Sequence, residues 1–247
     1  MTEFVDTAAE AVARVQDGST VLLGGFGNAG QPMELIDALL ESGTTGLTVV
    51  SNNAGQGDRG LALLIKERRV RKVICSFPRQ SDSWHFDEAY RAGDIELELV
   101  PQGNLAERLR AAGAGIGAFF TPTGYGTSLA EGKEAREIDG RHYVLEYPIR
   151  GDVALIKAHT ADDAGNLLYR KTARNFGPVM ATAAAHTVVQ VQQRVPVGSI
   201  DPEHVVTPGI YVDTVTALDA EPDRPGNQPG GQPENQQEAQ PQEAKHA

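Results

Sequence analysis

The stretch at residues 17–32 reads DGSTVLLGGFGNAGQP and combines an apolar run, a cluster of glycines and a proline. Its apolar run ends in a glycine-rich loop, and Pro32 then stands where a helix can begin its first turn. The order of strand, glycine loop and helix predicts a βα unit whose backbone N–H groups can meet a phosphate. Two other interpretations stay open, namely a tight turn without ligand and a dinucleotide-binding loop. The dinucleotide interpretation is disfavoured because the next apolar run, 47–50, is followed by no acidic residue for a ribose.

Short apolar runs alternate with segments of helical periodicity through the rest of the first half. Repeated strand–helix–strand units with short connections predict a parallel sheet covered by helices, and the second half is richer in strand-like runs. We therefore expect an α/β fold over residues 1–218: an open, largely parallel sheet with helices on both faces and a partly antiparallel extension. The predicted strands are 19–23, 47–50, 70–75, 95–100, 118–120, 143–146, 153–157, 167–169 and 187–191, and the predicted helices are 6–16, 32–40, 61–67, 86–91 and 105–112.

The composition excludes several classes of function. The formal net charge of the 247 residues is -11, so we expect neither nucleic acid nor an anionic membrane surface as a partner. No apolar run approaches the length of a membrane span and the acidic N-terminus is unlike a signal peptide, which predicts a cytoplasmic protein. The single cysteine, Cys75, and the scattered histidines predict no disulfide framework and no metal site.

The last 29 residues, 219–247, differ in composition from the rest. They are rich in proline, glutamine and glycine, contain no hydrophobic residue other than alanine, and carry six acidic against two basic residues. Such a segment cannot bury enough apolar surface to offset the entropy lost on ordering it, so we predict a disordered acidic tail.

Polar side chains follow the predicted strands of the first half. Asn52 and Asn53 follow the second strand and offer amide donors and acceptors without charge. Arg79 follows the third strand, close to Ser81, and a guanidinium there can hold a carboxylate bidentately. Gln102 follows the fourth strand, where its amide can donate to a carbonyl or carboxylate oxygen.

Each of these residues also has a plainer explanation. Asparagines satisfy turns, Arg79 can be solvated while Ser81 or Ser83 caps the next helix, and a single glutamine carries little information. The joint pattern is more informative, because the fifth predicted strand is also followed by a polar, glycine-containing loop at 121–127.

The chain offers this binding face without an obvious nucleophile. No Gly-x-Ser-x-Gly elbow occurs, and Cys75 is expected to be a small core residue. Asp58 and Asp82 stand at predicted helix starts, where capping is the expected role. These features predict half of an enzyme site that another polypeptide completes.

Residues 17–32 resemble the signature of the alpha subunits of family I CoA-transferases. Four more stretches resemble that family: SNNAG at 51–55, VPQG at 100–103, TPTGYGT at 121–127 and ARNF at 173–176. The resemblance covers roughly residues 4–213. It implies the alpha-subunit fold and a reaction that moves CoA from an acyl-CoA to a free carboxylate, with no permanently bound cofactor and the CoA thioester as substrate.

The resemblance also implies a division of labour between two chains. The family's nucleophile is a glutamate in a Ser-Glu-Asn-Gly segment of the beta subunit, and this chain has no such segment. A beta subunit is therefore the expected partner. Gln102 takes the place beside the substrate carboxylate, and Asn52 and Asn53 line the same pocket. The proposed CoA-binding loop comprises Gly24, Gly25, Phe26, Gly27, Asn28, Ala29 and Gly30.

Within the family, the FPRQSDS segment at 77–83 resembles the subgroup that acts on 3-oxoadipate with succinyl-CoA, in the β-ketoadipate route of aromatic degradation. Because 3-oxoadipate carries two carboxylates, we expect Arg79, helped by Ser81 or Ser83, to receive the distal one. Three alternatives stay open: specificity for acetoacetate or a short-chain acid, a non-catalytic CoA-binding module, and a sugar-phosphate isomerase of related architecture.

Overall fold

The computed structural model describes residues 1–218, and the predicted disordered tail, 219–247, lies outside the described residues. The strands are β1 (Glu3–Val5), β2 (Thr20–Leu23), β3 (Leu47–Val50), β4 (Val70–Cys75), β5 (Glu96–Leu99), β6 (Phe119–Thr121), β7 (Ala135–Ile138), β8 (Arg141–Glu146), β9 (Gly151–Lys157), β10 (Thr160–Asp162), β11 (Leu167–Leu168), β12 (Ala184–Val191), β13 (Gln193–Val195) and β14 (Thr214–Ala217). The α-helices are α1 (Ala8–Val12), α2 (Met33–Glu41), α3 (Leu61–Lys66), α4 (Trp84–Ala92), α5 (Gln102–Gly113) and α6 (Gly177–Ala183), and short 3-10 turns lie at Ser128–Ala130, Lys171–Arg174, Pro202–His204 and Gly209–Tyr211.

Eight of the strands described in residues 1–218 form one sheet in the order β1-β14-β12-β9-β2-β3-β4-β5, in which neighbouring strands are parallel. The chain winds outward from β2 through β3 and β4 to β5, and later begins again at β9 on the other side of β2. The direction of winding therefore reverses between β2 and β9. Ligands of open α/β sheets bind beside the carboxyl ends of the strands at such a reversal.

The central strand β2 is buried on both faces. Leu23 packs with Leu35 of α2 and Phe86 of α4 in one apolar cluster, whereas Leu22 packs with Leu105 of α5 in a second cluster. Successive side chains of a strand point to opposite faces of the sheet, so helices cover both faces, as predicted. Burial of each such leucine contributes about 1.5–3 kcal/mol to the stability of the fold.

The placement of the fifth predicted strand in the parallel sheet is wrong. β6 pairs antiparallel with β8 in a separate three-stranded sheet of order β6-β8-β7. Its residues are only half-buried, whereas strands of a parallel sheet are covered on both faces. The loop at 121–127 consequently does not follow a strand of the large sheet. The second half instead adds β9, β12 and β14 to the parallel sheet.

Helix α1 is shorter than the predicted 6–16, and its start is set by Thr7. The hydroxyl of Thr7 accepts a hydrogen bond from the Glu10 amide at 3.2 Å, which fixes the first turn. Within residues 1–218, every helix is too short or too polar to span a bilayer.

Candidate functional site

The glycine loop after β2 is closed by its own backbone and by one distant side chain. The Gly24 amide donates to the Leu155 carbonyl at 3.0 Å, which ties the loop to β9. Phe26 and Ala29 exchange two backbone hydrogen bonds of 3.0 and 3.1 Å and so form a tight turn. The Gly25 amide donates to Oδ1 of Asn175 at 3.1 Å. Four amides of the predicted phosphate-binding loop are therefore already satisfied inside the protein.

The Asn175 side chain holds this loop against the Lys171–Arg174 turn. Its Oδ1 also accepts from the Phe176 amide at 2.7 Å. Its Nδ2 lies within donating distance of three carbonyls, those of Ala29 at 2.9 Å, Thr172 at 3.1 Å and Ala173 at 3.2 Å. The ARNF stretch thus has a physical role, since its asparagine orders the turn that follows β2.

Glycine is required at two positions of the loop. Gly25 has a φ of +133°, and a Cβ there would approach Cγ of Gln31 to 2.6 Å. Gly30 has a φ of +73°, and a Cβ there would overlap the carbonyl oxygen of Ala173. At Gly25 the atom in the way belongs to a side chain, whereas at Gly30 it belongs to the backbone. The amides of Gly27, Asn28 and Gly30 have no hydrogen-bond partner within residues 1–218, so these three are the donors left for a ligand.

The structure brings Gln102 and Asn52 together at the carboxyl ends of the strands. Nε2 of Gln102 donates to Oδ1 of Asn52 at 2.7 Å, and the Ser76 hydroxyl donates to the same oxygen at 3.0 Å. Asn52 is only 3% exposed, whereas Gln102 is exposed at the first turn of α5. A buried asparagine therefore orients an exposed glutamine. The second N–H of Gln102 and its carbonyl oxygen remain for a ligand.

Asn53 has a different role in the described residues. It is buried, and its Oδ1 accepts from the Gly55 amide at 3.0 Å, two residues further along the chain. This bond stabilises a turn, which is the alternative role expected for the asparagines from the sequence. Asn53 thereby fixes the backbone next to Asn52.

Arg79 lies on the surface beside α4. Its Nε forms an ion pair with Oδ1 of Asp87 at 2.6 Å, and its guanidinium carbon is 6.0 Å from the centre of the Tyr90 ring. Ser81 is exposed. Ser83 occupies the N-cap position of α4 without a capping bond, and its hydroxyl instead donates to the Gly55 carbonyl at 2.9 Å. Arg79 could therefore hold a distal carboxylate, as predicted, only after its ion pair with Asp87 breaks.

The two acids of the loops have different surroundings. Oδ1 of Asp58 lies 2.6 Å from Nε2 of His85, and this hydrogen bond lowers the pKa of the Asp58 carboxyl. The Asp82 carbonyl accepts from the Gly57 amide at 2.9 Å, which joins the second loop to the third. Neither residue caps a helix by its side chain in the way the sequence suggests.

Cys75 is fully buried at the end of β4, and burial raises the pKa of its thiol to about 12. A thiol with so high a pKa is protonated at neutral pH and is not a nucleophile. Among residues 1–218, no three His, Cys, Asp or Glu side chains are grouped to hold a metal ion.

A basic pocket beside the glycine loop was not predicted from the sequence. This pocket of about 490 Å³ lies at the reversal between β2 and β9. Its cationic lining residues come from separate segments of the chain, and no local motif links them. They are Arg59, Lys157, Arg170 and Lys171, and His159 also lines the pocket.

The chain is similar to known proteins over nearly all of the described residues. Residues 5–218 match the family described as Coenzyme A transferase. The chain is 64% identical over 213 residues to the A subunit of the 3-oxoadipate CoA-transferase of Pseudomonas putida, covering 86% of this chain and 92% of that protein. It is 52% identical over 221 residues to the A subunit of the succinyl-CoA:3-ketoacid coenzyme A transferase of Xanthomonas campestris pv. campestris, covering 90% of each.

A solved structure shows the same fold. The acyl-CoA transferase YdiF of E. coli O157:H7, in a thioester complex with CoA, superposes with a TM-score of 0.80 at 24% identity, over 93% of this chain. The alignment covers 52% of the YdiF chain, so this chain spans about half of that protein's length. Since the family match extends over nearly all the described residues, the chain belongs to the coenzyme A transferase family.

Proposed function

We propose that this chain is the subunit of a CoA-transferase that binds the carboxylate substrate, and that it acts on succinyl-CoA and 3-oxoadipate together with a beta subunit. The observation that carries the proposal is the Gln102 amide held by buried Asn52, with 2.7 Å between Nε2 and Oδ1. The name of the Pseudomonas putida relative, which specifies one subunit of a 3-oxoadipate CoA-transferase, supports the substrate and the need for a second chain.

The proposed reaction divides the chemistry between the two chains. A glutamate carboxylate supplied by the beta subunit first attacks the succinyl-CoA carbonyl, forms a mixed anhydride and releases the CoA thiolate. The thiolate then attacks the glutamyl carbonyl, which frees succinate and leaves a glutamyl-CoA thioester. The 3-oxoadipate carboxylate attacks this thioester, and the thiolate it releases attacks the new acyl carbonyl. The products are 3-oxoadipyl-CoA and the regenerated glutamate.

In this reaction, the proposed role of Gln102 is to stabilise negative charge on an oxygen of the substrate. An oxygen of the bound carboxylate, and the oxyanion formed from it, would accept from the N–H of Gln102 that is not bonded to Asn52. The bond to Asn52 and the bond from Ser76 to Asn52 fix the orientation of this donor before substrate arrives. Preorganised donors of this kind contribute about 2.7–4 kcal/mol to the stability of a transition state.

The test uses the chain assembled with its beta subunit. It compares Gln102→Ala with wild type, and we expect kcat for CoA transfer from succinyl-CoA to 3-oxoadipate to fall by about 10²–10³. Gln16→Ala, which changes an exposed glutamine before the amino end of β2, is the matched control and should transfer at the wild-type rate. Equal rates for Gln102→Ala and wild type would show that Gln102 has no role in the transfer reaction.

A second candidate is transfer to a 3-oxo acid with one carboxylate, such as acetoacetate. One observation favours it: Arg79 is paired with Asp87 at 2.6 Å, and this ion pair must break before Arg79 can hold a distal carboxylate. Measuring kcat/KM of the wild-type assembly for 3-oxoadipate and for acetoacetate decides between them. A non-catalytic CoA-binding module would transfer CoA to neither acid.

A further inference from the structure

The small antiparallel sheet β6-β8-β7 has two faces of unlike composition, and its strand register assigns each residue to one of them. Residues directly opposite each other in an antiparallel pair share a face, as do alternate residues of one strand. One face, which we call the outer face, comprises Phe120, Arg136, Ile138, Arg141, Tyr143 and Leu145. The opposite, inner face includes Val144 and Glu146 of β8.

The inner face is covered by helix α5 and carries a buried charge. Glu146 is 3% exposed, and its Oε1 accepts from Nζ of Lys133 at 2.6 Å and from Nδ2 of Asn104 at 3.2 Å. Nε of Arg108 lies 3.7 Å from the other carboxylate oxygen. A buried carboxylate is tolerated only with such partners. The charged groups of the inner face therefore hold this sheet against α5.

The outer face is apolar although it is open to solvent. Ile138 is 38% exposed, and Phe120, Tyr143 and Leu145 are half-buried. An antiparallel sheet with one face in water normally has its polar side chains on that face and its apolar ones on the covered face. In this sheet, the buried glutamate lies on the covered face and aromatic rings lie on the open face. Exposed apolar patches of this kind mark sites of protein–protein contact.

The two arginines of the outer face are ordered by neighbouring side chains. Nη2 of Arg136 lies 2.9 Å from Oε1 of Glu134, and its guanidinium carbon is 4.7 Å from the centre of the Phe120 ring. The guanidinium carbon of Arg141 is 5.9 Å from the centre of the Tyr143 ring. Arginine and aromatic residues are enriched at the centres of protein interfaces, and ordered side chains lose less entropy on binding.

The outer face is continuous with the turn that carries Gln102. Asn104, which bonds to Glu146 of the sheet, also donates to the Thr123 carbonyl at 3.2 Å. Asn104 and Gln102 both lie in the first turn of α5, and Thr123 follows the end of β6 by two residues. A partner that reaches Gln102 therefore comes next to this sheet.

We propose that the outer face of the β6-β8-β7 sheet is a docking surface for the beta subunit. The proposal rests on the proposed function, which requires a glutamate of the beta subunit beside Gln102. A second copy of this chain would not supply that glutamate, so the beta subunit is the occupant that the incomplete site requires. Docking on the outer face would cover its apolar side chains and bring the partner to the edge of the site.

The test measures association of the full chain with its purified beta subunit by sedimentation velocity. Ile138→Asp and Arg141→Glu should each raise the Kd by about tenfold or more, because each places a carboxylate without a partner in the interface. Ile210→Asp is the matched control for the first variant, since Ile210 is 84% exposed and lies outside this sheet. Arg14→Glu is the control for the second, since Arg14 is exposed before β2. Both controls should bind with the wild-type Kd.

The transfer assay separates a defect in docking from a defect in chemistry. When the beta subunit is limiting, the outer-face variants should transfer CoA more slowly than wild type, and excess beta subunit should reverse this loss. The same excess should not rescue Gln102→Ala. An unchanged Kd for both outer-face variants, or equal weakening by the controls, would overturn the proposal. Variants that separate pairs of this chain and leave beta-subunit binding intact would also overturn it and assign the face to a second copy.

Hydrogen exchange gives a second measurement that needs no variant. On addition of the beta subunit, the amides of residues 135–146 should exchange more slowly, because β7 is an edge strand whose four residues are all exposed in this chain. Residues 193–197, which begin with β13 of a different sheet, serve as the control. Slower exchange at 193–197 without any change at 135–146 would overturn the proposal.

Failure of this proposal is distinguishable from failure of the proposed function. The sedimentation and exchange measurements require no transfer of CoA. An assembly that forms through the outer face but does not transfer CoA to 3-oxoadipate overturns the function and supports the surface. An assembly that transfers CoA while the outer face stays unprotected overturns the surface and supports the function.

Discussion

Replacing Asn175 with alanine should loosen the glycine loop and weaken the CoA site together. The substitution removes the acceptor for the amides of Gly25 and Phe176 and the donor to the carbonyls of Ala29, Thr172 and Ala173. Because Nδ2 has two hydrogens, at most about four of these five contacts count as full hydrogen bonds. At about 0.5–1.5 kcal/mol each, and with water replacing some of them, the free energy of unfolding should fall by about 2–4 kcal/mol.

The kinetic effect separates a positioning role from a purely structural one. Asn175 does not itself meet the reacting atoms, so the variant assembly should show a raised KM for succinyl-CoA, with a smaller change in kcat. Asn175→Asp keeps the acceptor oxygen and loses the donor, so it should fall between wild type and Asn175→Ala in both stability and KM.

Asn166 provides the matched control for this experiment. Its Nδ2 donates to Asp162 at 2.9 Å and its Oδ1 accepts from the Gly209 amide at 3.0 Å, in a loop that does not line the basic pocket. Asn166→Ala should lower the free energy of unfolding, measured by urea denaturation, and leave the KM for succinyl-CoA unchanged. If both asparagine variants shift KM equally for equal losses of stability, the loop-positioning argument is refuted.

Single sites elsewhere in the chain give three further expectations. Gly30→Ala places a Cβ against the Ala173 carbonyl at a φ of +73°. Left-handed backbone alone costs an alanine about 1–2 kcal/mol, so thermal unfolding should show that the free energy of unfolding falls by more than this amount. Arg79→Ala in the assembly should lower kcat/KM for 3-oxoadipate by about 10- to 100-fold and spare acetoacetate, and an equal loss for both acids refutes a contact with the distal carboxylate. Burial raises the pKa of the Cys75 thiol from 9.0 to about 12, so the thiol stays protonated in the folded state at pH values where it ionises in the unfolded chain. Its contribution to the free energy of unfolding is therefore fully present below pH 9 and is lost as the pH rises toward 12. Urea denaturation between pH 9 and 11 should therefore show wild type losing up to about 1.4 kcal/mol per pH unit more than Cys75→Ala, and parallel losses would contradict this.

The centre of the fold is predictable from the sequence because the residues that determine it are adjacent in the chain. The apolar run of β2, the glycines after it and Pro32 before α2 are adjacent in the chain, and the structure has strand, loop and helix in that order. Burial on both faces leaves β2 no alternative but the middle of a covered sheet.

The features that the sequence does not predict depend on contacts between distant residues. The Gly25 amide and the Asn175 side chain that accepts from it are 150 residues apart. Gln102 and Asn52 are 50 residues apart, and only the family resemblance, not a local pattern, placed them in one pocket. The cations of the basic pocket converge only after β9 pairs with β2, and no periodicity reports that pairing. β6 has the apolar residues of a parallel strand, but its partner β8 lies later in the chain and runs antiparallel.

The most direct test of the central claim is an assay of CoA transfer from succinyl-CoA to 3-oxoadipate with the two purified chains, separately and mixed. This chain should have no transfer activity without its partner, because its described loops offer no activated nucleophile. We expect transfer only when the chain is mixed with a beta subunit that carries the glutamate, and loss of transfer when that glutamate is replaced by glutamine. Transfer by this chain alone, or none by the mixture, would contradict the account.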